Sequence, residues 1–453
     1  MTTFAIHALH PDGRHVQLLY NNHESTLMWQ DGTPVLPVQP GTFRDASVVS
    51  VNQPGRKGNI RVLKISLGLS CNYECSYCNQ RFVPHANASH PDDIEPFISQ
   101  LTDVLTTPPE RIEFWGGEPL VYWKTLKPLA ERLRGLYPHA QFSLITNGSL
   151  LDAQKIEWID QMGFSVGLSH DGPGQSSRGP DPLSDPEVQA AIMALYARLH
   201  PQGRISINAM VHAGNQSRAQ IQAWLQQRFG QDVRIGEGTF IDPYDEGGLA
   251  STLQTPEDHL RFRAQAYKEL RMGLASRMSV AQQRIMDFVQ SIRTARPASS
   301  LGQKCGMDQA SHLAVDLHGN VLTCQNVSAA AVSSNGQPHK IGQLSNLANV
   351  QMRTATHWSQ RAECPCCPVL QLCKGSCMFL DGPLWEAGCD AAFSDNVPFL
   401  AAAVEYLTGC IPYYIDGDFR QDRKDVFGQV HGVSQQPRKR VIPILAHDMS
   451  VAA

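Results

Sequence analysis

Residues 69–82 read LSCNYECSYCNQRF and set Cys71, Cys75 and Cys78 in the spacing C-x3-C-x2-C, directly behind the β-rich run VLKISLGL at 62–69. A structural zinc site is closed by four ligands, commonly drawn from two C-x2-C pairs. A [4Fe–4S] cluster has four irons and commonly takes four cysteines. Three local thiolates hold such a cluster and leave one iron open to a further ligand. The alternative reading is zinc, held by the same three cysteines and a distant histidine.

The rest of the composition narrows the setting. With 453 residues the chain is long for one core, so two or three domains are expected. A net charge of −4 gives no basic footprint for nucleic acid. The one basic cluster, PRKR at 437–440, reads as part of a solvated tail. The start MTTFAIHALHPDGR lacks a basic segment followed by an apolar run, so no export signal is expected. The apolar stretch VPFLAAAVEYLTGCIPYYI at 397–415 contains Glu405 and Pro412, which favours a buried helix and a loop over a membrane span. A cytoplasmic protein follows as the expectation, and disulfides are rare in that compartment. The twelve cysteines cluster, three at 71–78 and nine from Cys305 to Cys410, which points to metal.

Hydrophobic periodicity divides the chain into a β-rich segment at 1–58, an alternating α/β region at 59–254, a helical connector at 255–300, a cysteine-rich region at 301–410 and a polar, irregular tail at 411–453. In the second region strand patterns begin near 62, 112, 141, 164, 204 and 232, with helical patterns at 92–105, 125–137, 152–162, 185–199 and 218–229. Such alternation means βαβ units and a parallel sheet. Asp152 and Ser217 stand where N-caps belong. The expected fold is a partial (β/α)6 barrel rather than a doubly wound sheet. Its chemistry belongs at the C-terminal strand ends, where Cys71, Gly116, Thr146 and Ser169 fall.

With Tyr77 before the third cysteine, the first motif resembles the signature of the radical S-adenosylmethionine (SAM) family. The resemblance extends over about residues 61–245 through GGEP at 116–119, TNG at 146–148 and LSHDGP at 168–173 with Arg178. It implies that Cys71, Cys75 and Cys78 hold a SAM-cleaving [4Fe–4S] cluster. It further implies SAM contacts from Gly116, Gly117, Glu118 and Pro119, with the Glu118 carboxylate suited to the amino group. Thr146, Asn147, Ser169, Asp171 and Arg178 complete that set, Asn147 being suited to the ribose. Each short element by itself also reads as an ordinary turn or surface ion pair.

The later cysteines run Cys305-x13-Gly319-x4-Cys324, then Cys364-x2-Cys367-x5-Cys373-x3-Cys377, then Cys389. This is similar to the SPASM extension of the same family. The resemblance implies two auxiliary [4Fe–4S] clusters, one on Cys305, Cys324 and Cys377, the other on Cys364, Cys367, Cys373 and Cys389. A pair of zinc sites is the competing reading. Cys366 and Cys410 are left over, and the fourth ligand of the first auxiliary cluster stays open.

SPASM enzymes mostly modify peptides and proteins, which implies a maturase that forms a thioether or carbon–carbon crosslink in a ribosomally made precursor peptide. A flavodoxin or ferredoxin is the expected electron donor. A radical dehydrogenase or epimerase acting on a protein side chain or small molecule is the alternative, and a non-catalytic iron–sulfur carrier is the reading from another class. Sulfatase-maturing members carry an Asp directly after the cysteine of G-x4-C, whereas Gln325 follows Cys324 here. Asp171, Asp242 and Asp245 are the candidate bases at strand ends.

Overall fold

The computed structural model describes residues 3–46, 57–271 and 279–427. The PRKR run at 437–440 lies outside them. The N-terminal segment forms the expected hairpins, β1 (Thr3–Leu9), β2 (His15–Asn21) and β3 (Thr26–Trp29), paired antiparallel in chain order.

The alternating region folds as its periodicity requires. Six strands lie side by side in chain order, all parallel: β4 (Val62–Ser66), β5 (Arg111–Trp115), β6 (Gln141–Thr146), β7 (Phe164–Ser169), β8 (Ile205–Asn208) and β9 (Ile235–Glu237). Between them run α1 (Ile94–Val104), α2 (Trp123–Leu136), α3 (Ala153–Gln161), α4 (Pro186–Leu199) and α5 (Arg218–Phe229). Asp152 and Ser217 cap α3 and α5 through Lys155 N and Gln220 N. Alternate residues of each strand bury toward the helices. Leu63, Ile112, Phe114, Phe142 and Phe164 join Leu126, Leu129 and Leu133 of α2 in one core. The Phe114, Phe142 and Phe164 rings lie 5.5 Å apart, each pair contributing about 0.5–1.5 kcal/mol beyond burial. The opposite face, with Glu113, Trp115, Ile145 and Ser169, turns away from these helices.

The sheet does not stop at the expected domain boundary. After α6 (Glu246–Ala250), α7 (Pro256–Arg271) and α8 (Ser279–Thr294), strand β10 (His312–Asp316) pairs in parallel with β4. β11 (Asn320–Leu322) and β12 (Lys340–Gln343) continue antiparallel, so the open sheet has nine strands. Leu313 and Val315 stand opposite Leu63 and Ile65 and share their core. The cysteine-rich region is thus an extension of the first sheet, because its leading strand supplies apolar residues in the register β4 needs.

The expected irregular tail at 411–453 opens instead on a strand at 411–416, and its residues 428–453 lie outside the described ones. Beyond α9 (Leu370–Cys373), the long α10 (Gly382–Thr408) buries Phe393, Val397, Leu400 and Val404 against Phe4, Ile6, Tyr20 and Phe288. Glu405 is tolerated in this apolar run because Arg271 Nε (2.8 Å) and Tyr267 Oη (2.7 Å) donate to it. Among the described residues, no helix is long and apolar enough to cross a membrane. β13 (Ile411–Asp416) then pairs with β1 and completes the N-terminal sheet in the order β13-β1-β2-β3. Asp395 of α10 meets Arg218 of α5 and Arg284 of α8 (2.9 Å), a buried ion triad that ties the C-terminal helix to the α/β region.

Candidate active site

The cysteine motif occupies the long loop after β4. Ser70 N donates to the Tyr122 hydroxyl (2.7 Å), and Glu118 N to Ser70 O (3.0 Å), which fixes the loop entrance against the turn after β5. Ser76 N donates to Ser177 O (2.8 Å) and Tyr73 Oη to Pro180 O (2.8 Å), so the segment after β7 grips the other side. Tyr73 N and Gln80 N donate to the Cys71 and Cys78 sulfurs, both at 3.4 Å. Burial pushes the Cys75 thiol up to about 11, with Cys78 and Cys71 adding to the effect against Arg178. Three thiols that repel one another as thiolates are a set that a cationic centre stabilises.

Gly117 shows why the GGEP turn needs glycine. A Cβ there would stand 2.4 Å from Ser70 O and 2.5 Å from Leu69 O, so the turn lies directly on the cysteine loop. Glu118 is 1% exposed and its carboxylate is already engaged. It accepts from Leu120 N (3.0 Å), Thr146 Oγ1 (2.7 Å) and Asn147 N (2.8 Å). An ammonium group at this carboxylate would share it with three protein donors, so its evident work is to brace the ends of β5 and β6. Asn147, expected at a ribose, likewise turns to the cysteine loop, donating to Asn72 Oδ1 (2.9 Å).

The segment after β7 carries a buried charge network. Asp171 is fully buried and pairs with Arg178 Nε (2.9 Å), while the Tyr77 hydroxyl donates to its other oxygen and Met210 N to the first (2.8 Å). All sequence-assigned SAM-site residues except Asp171 line one cavity of about 750 Å³ at the C-terminal strand ends. Asp171 stands behind Arg178 and holds it and Tyr77 in place. That removes Asp171 as a base in the cavity. Asp245 is removed too, since it caps α6 through Gly248 N (2.7 Å). Asp242 lines the cavity, with Ser376 Oγ donating to its Oδ1 at 2.5 Å.

Four of the remaining cysteines share a cavity, although among the described residues no group of three or more His, Cys, Asp or Glu side chains is arranged to hold a single metal ion. Cys364, Cys367, Cys373 and Cys389 surround one small cavity. Burial drives the Cys367 thiol up to about 12 and the Cys373 thiol up to about 11. Cys324 interacts electrostatically with Cys305 and with Cys377, which places these three together as well. Asn326 N donates to the Cys324 sulfur at 3.4 Å. Cys366 lies among the second set's ligands in sequence, whereas Cys410 is buried near Thr408, at the start of β13. Gln325 receives a long contact from Lys64 Nζ (3.5 Å), a lysine that also faces Glu113 (3.6 Å) and the Trp115 ring.

Sequence reasoning missed Tyr244 and Arg423. Tyr244 lines the large cavity and shares a hydrogen bond with the Cys377 thiol. Arg423 reaches the Cys389 sulfur at 3.4 Å. Neither sits in a motif, and only the closing of the chain on itself brings them to the cysteines.

No family model matches the chain. It is 22% identical over 190 residues to the radical SAM cyclopropyl synthase TigE of Paramaledivibacter caminithermalis, covering 38% of this chain and 39% of that protein. It is 24% identical over 358 residues to the serine-type anaerobic sulfatase-maturating enzyme of Klebsiella aerogenes, covering 74% and 84%. The chain thus spans well under half of the first relative and most of the second. Among solved structures, native anSMEcpe with bound AdoMet superposes with a TM-score of 0.54 at 18% identity over 77% of this chain and 98% of that one, a likeness of fold. Cysteine pattern, sheet and relatives point the same way: the chain is similar to radical SAM enzymes, and its later cysteines follow the SPASM spacing.

Proposed function

We propose that the protein is a peptide maturase that forms a thioether or carbon–carbon crosslink in a ribosomally made precursor peptide, using SAM and three [4Fe–4S] clusters held by the cysteine sets described above. The observation that carries the multi-cluster reading is the gathering of Cys364, Cys367, Cys373 and Cys389 around one cavity. Buried thiols with raised pKa values fit an iron–sulfur centre, which binds them as thiolates. A domain division near 255 and 301, a peptide or protein substrate and a flavodoxin- or ferredoxin-type donor belong to the same proposal, as does work in the cytoplasm.

When bound, SAM and its cluster supply a 5′-deoxyadenosyl radical that removes a hydrogen atom from the substrate. The chain supplies the rest. Gly117 lets the turn after β5 pack on the cysteine loop, and Glu118 locks that turn to β6. Asp171 fixes Arg178 and Tyr77 at the wall. Asp242 lines the cavity and would take the proton lost as the new bond forms. Asp242→Asn is expected to lower product formation by about 10²- to 10⁴-fold, the usual worth of a general base, with 5′-deoxyadenosine release retained. Loss of both in parallel would contradict this role.

A second reading, oxidation of a sulfatase serine or cysteine to an aldehyde, is supported by the coverage of the Klebsiella aerogenes relative. Gln325 opposes it, since an amide takes no proton at neutral pH, although Asp242 offers a carboxylate from another loop. The readings separate by mass spectrometry of two probes incubated with reconstituted protein, SAM and dithionite: peptides encoded beside the gene, and a sulfatase-derived serine peptide. Loss of two hydrogens without aldehyde reactivity supports the crosslink. A hydrazide-reactive product from the sulfatase peptide replaces it with the second reading. An unmodified set of both probes would overturn the peptide assignment.

A further inference from the structure

The two auxiliary cysteine sets share the Asp242 carboxylate, which acts on Cys377 of the first and Cys373 of the second, and they differ in the donors that reach their sulfurs. Around the first, the Asp242 carboxylate acts on Cys377 and Asp308 acts on Cys305, with Lys64 the opposing cation. Around the second, a cation acts on each sulfur. Arg361 acts on Cys364, Arg423 on Cys367 and Lys304 on Cys373. The fourth sulfur, Cys389, receives a direct N–H···S bond from Arg423 Nη2 at 3.4 Å.

Arg423 is placed there by the end of the chain. It is 6% exposed and lines the second cavity with the four cysteines. Its segment is clamped to β13 by Ile415 N to Lys424 O (3.0 Å), and to α7 by Arg263, whose Nε donates to Val426 O (2.8 Å). Phe393 lies beneath its guanidinium at 4.9 Å, and Asp390 pairs with it. A guanidinium keeps its charge in proteins, so this donor is a cation.

Hydrogen bonds to cluster sulfurs and nearby charge set the potential of an iron–sulfur centre. We infer that Arg423, through its N–H···S bond to Cys389, raises the reduction potential of the second auxiliary centre and so favours its reduction. This rests on the cluster reading of the proposed function. The balance requires an electron acceptor. Crosslinking removes two hydrogens from the substrate, one as a hydrogen atom that completes 5′-deoxyadenosine. The other leaves as a proton to a carboxylate plus one electron. That electron reduces an auxiliary centre and leaves to a soluble one-electron carrier of the flavodoxin or ferredoxin class.

The test uses the full-length chain with Cys71, Cys75 and Cys78 replaced by Ala, so that the auxiliary centres alone are titrated by EPR-monitored redox titration. The parent should carry about eight irons. Arg423→Gln should lower the midpoint of one centre so that its ratio of reduced to oxidised form at a fixed potential falls about tenfold, 59 mV for a one-electron couple. The other centre should stay in place, and Arg423→Lys should fall between. Asp390→Asn, which removes the counter-charge but keeps the guanidinium, should move the same centre in the opposite direction and decides the matter if Arg423→Gln assembles poorly. Unmoved midpoints at full iron content, or equal shifts of both centres, would overturn the inference. A parent without these irons would overturn the cluster reading first, and this inference with it.

Discussion

Replacing Cys71, Cys75 and Cys78 together by Ala abolishes 5′-deoxyadenosine release from SAM while about eight irons per chain remain, because only one of three centres is lost. The structure gives the reason for this separation. The three thiols sit on the loop after β4, whereas the other sets are built from β10–β11, the segment around α9, and α10. The loop is held by its own contacts to the turn after β5 and the segment after β7, none of which passes through a cysteine sulfur. The variant therefore folds, and urea unfolding should show a midpoint close to that of the apo wild type. Retained nucleoside release would show that SAM is cleaved elsewhere. Loss of all iron would show that the three sets do not form independently.

Asp395→Ala destabilises the fold by about 3–5 kcal/mol, the cost of leaving buried charge without its partner. Arg218 is 2% exposed and cannot turn to water, while Arg284, 16% exposed, is held over the Phe399 ring at 3.8 Å. The two arginines hold the Asp395 carboxyl at about 2 despite its burial, against an ordinary value of 3.8. With the folded value depressed, the contribution is complete above pH 3.8 and is lost as the pH falls toward about 2. Urea unfolding of wild type and variant should accordingly differ fully at neutral pH and converge in strong acid. A variant within a few tenths of a kcal/mol of wild type at neutral pH would mean the triad does not join α10 to α5 and α8. The triple change Arg218→Met, Arg284→Met and Asp395→Leu should recover much of the loss, since apolar groups of similar volume often replace buried ion pairs without cost.

Much of the architecture was legible because the periodicity is strong. The six parallel strands and five helices of residues 62–237 follow from short β-rich runs alternating with amphipathic ones, and the caps at Asp152 and Ser217 formed as read. The shared cavity of Cys364, Cys367, Cys373 and Cys389 agrees with their local spacing in the sequence. Two features were not legible. The strand at 312–316 reads as the start of a second domain, yet its pairing with β4 depends on register across nearly the whole chain, which no local pattern records. The pairing of β13 with β1 is of the same kind, and with it comes the delivery of Arg423. At the site itself, residue type told less than geometry. Glu118, Asn147 and Asp171 were assigned to SAM by motif, but the first two spend their polar atoms on neighbouring loops and the third stands behind Arg178. Among the three candidate aspartates, burial and capping removed two, a choice the sequence left open.

The most direct test of the central claim is the iron and sulfide content of anaerobically reconstituted protein, measured with 5′-deoxyadenosine release from SAM and dithionite. About twelve irons with matching sulfide, together with nucleoside release, is the predicted result for three [4Fe–4S] centres of which one cleaves SAM. Zinc in place of iron, without nucleoside, would contradict it.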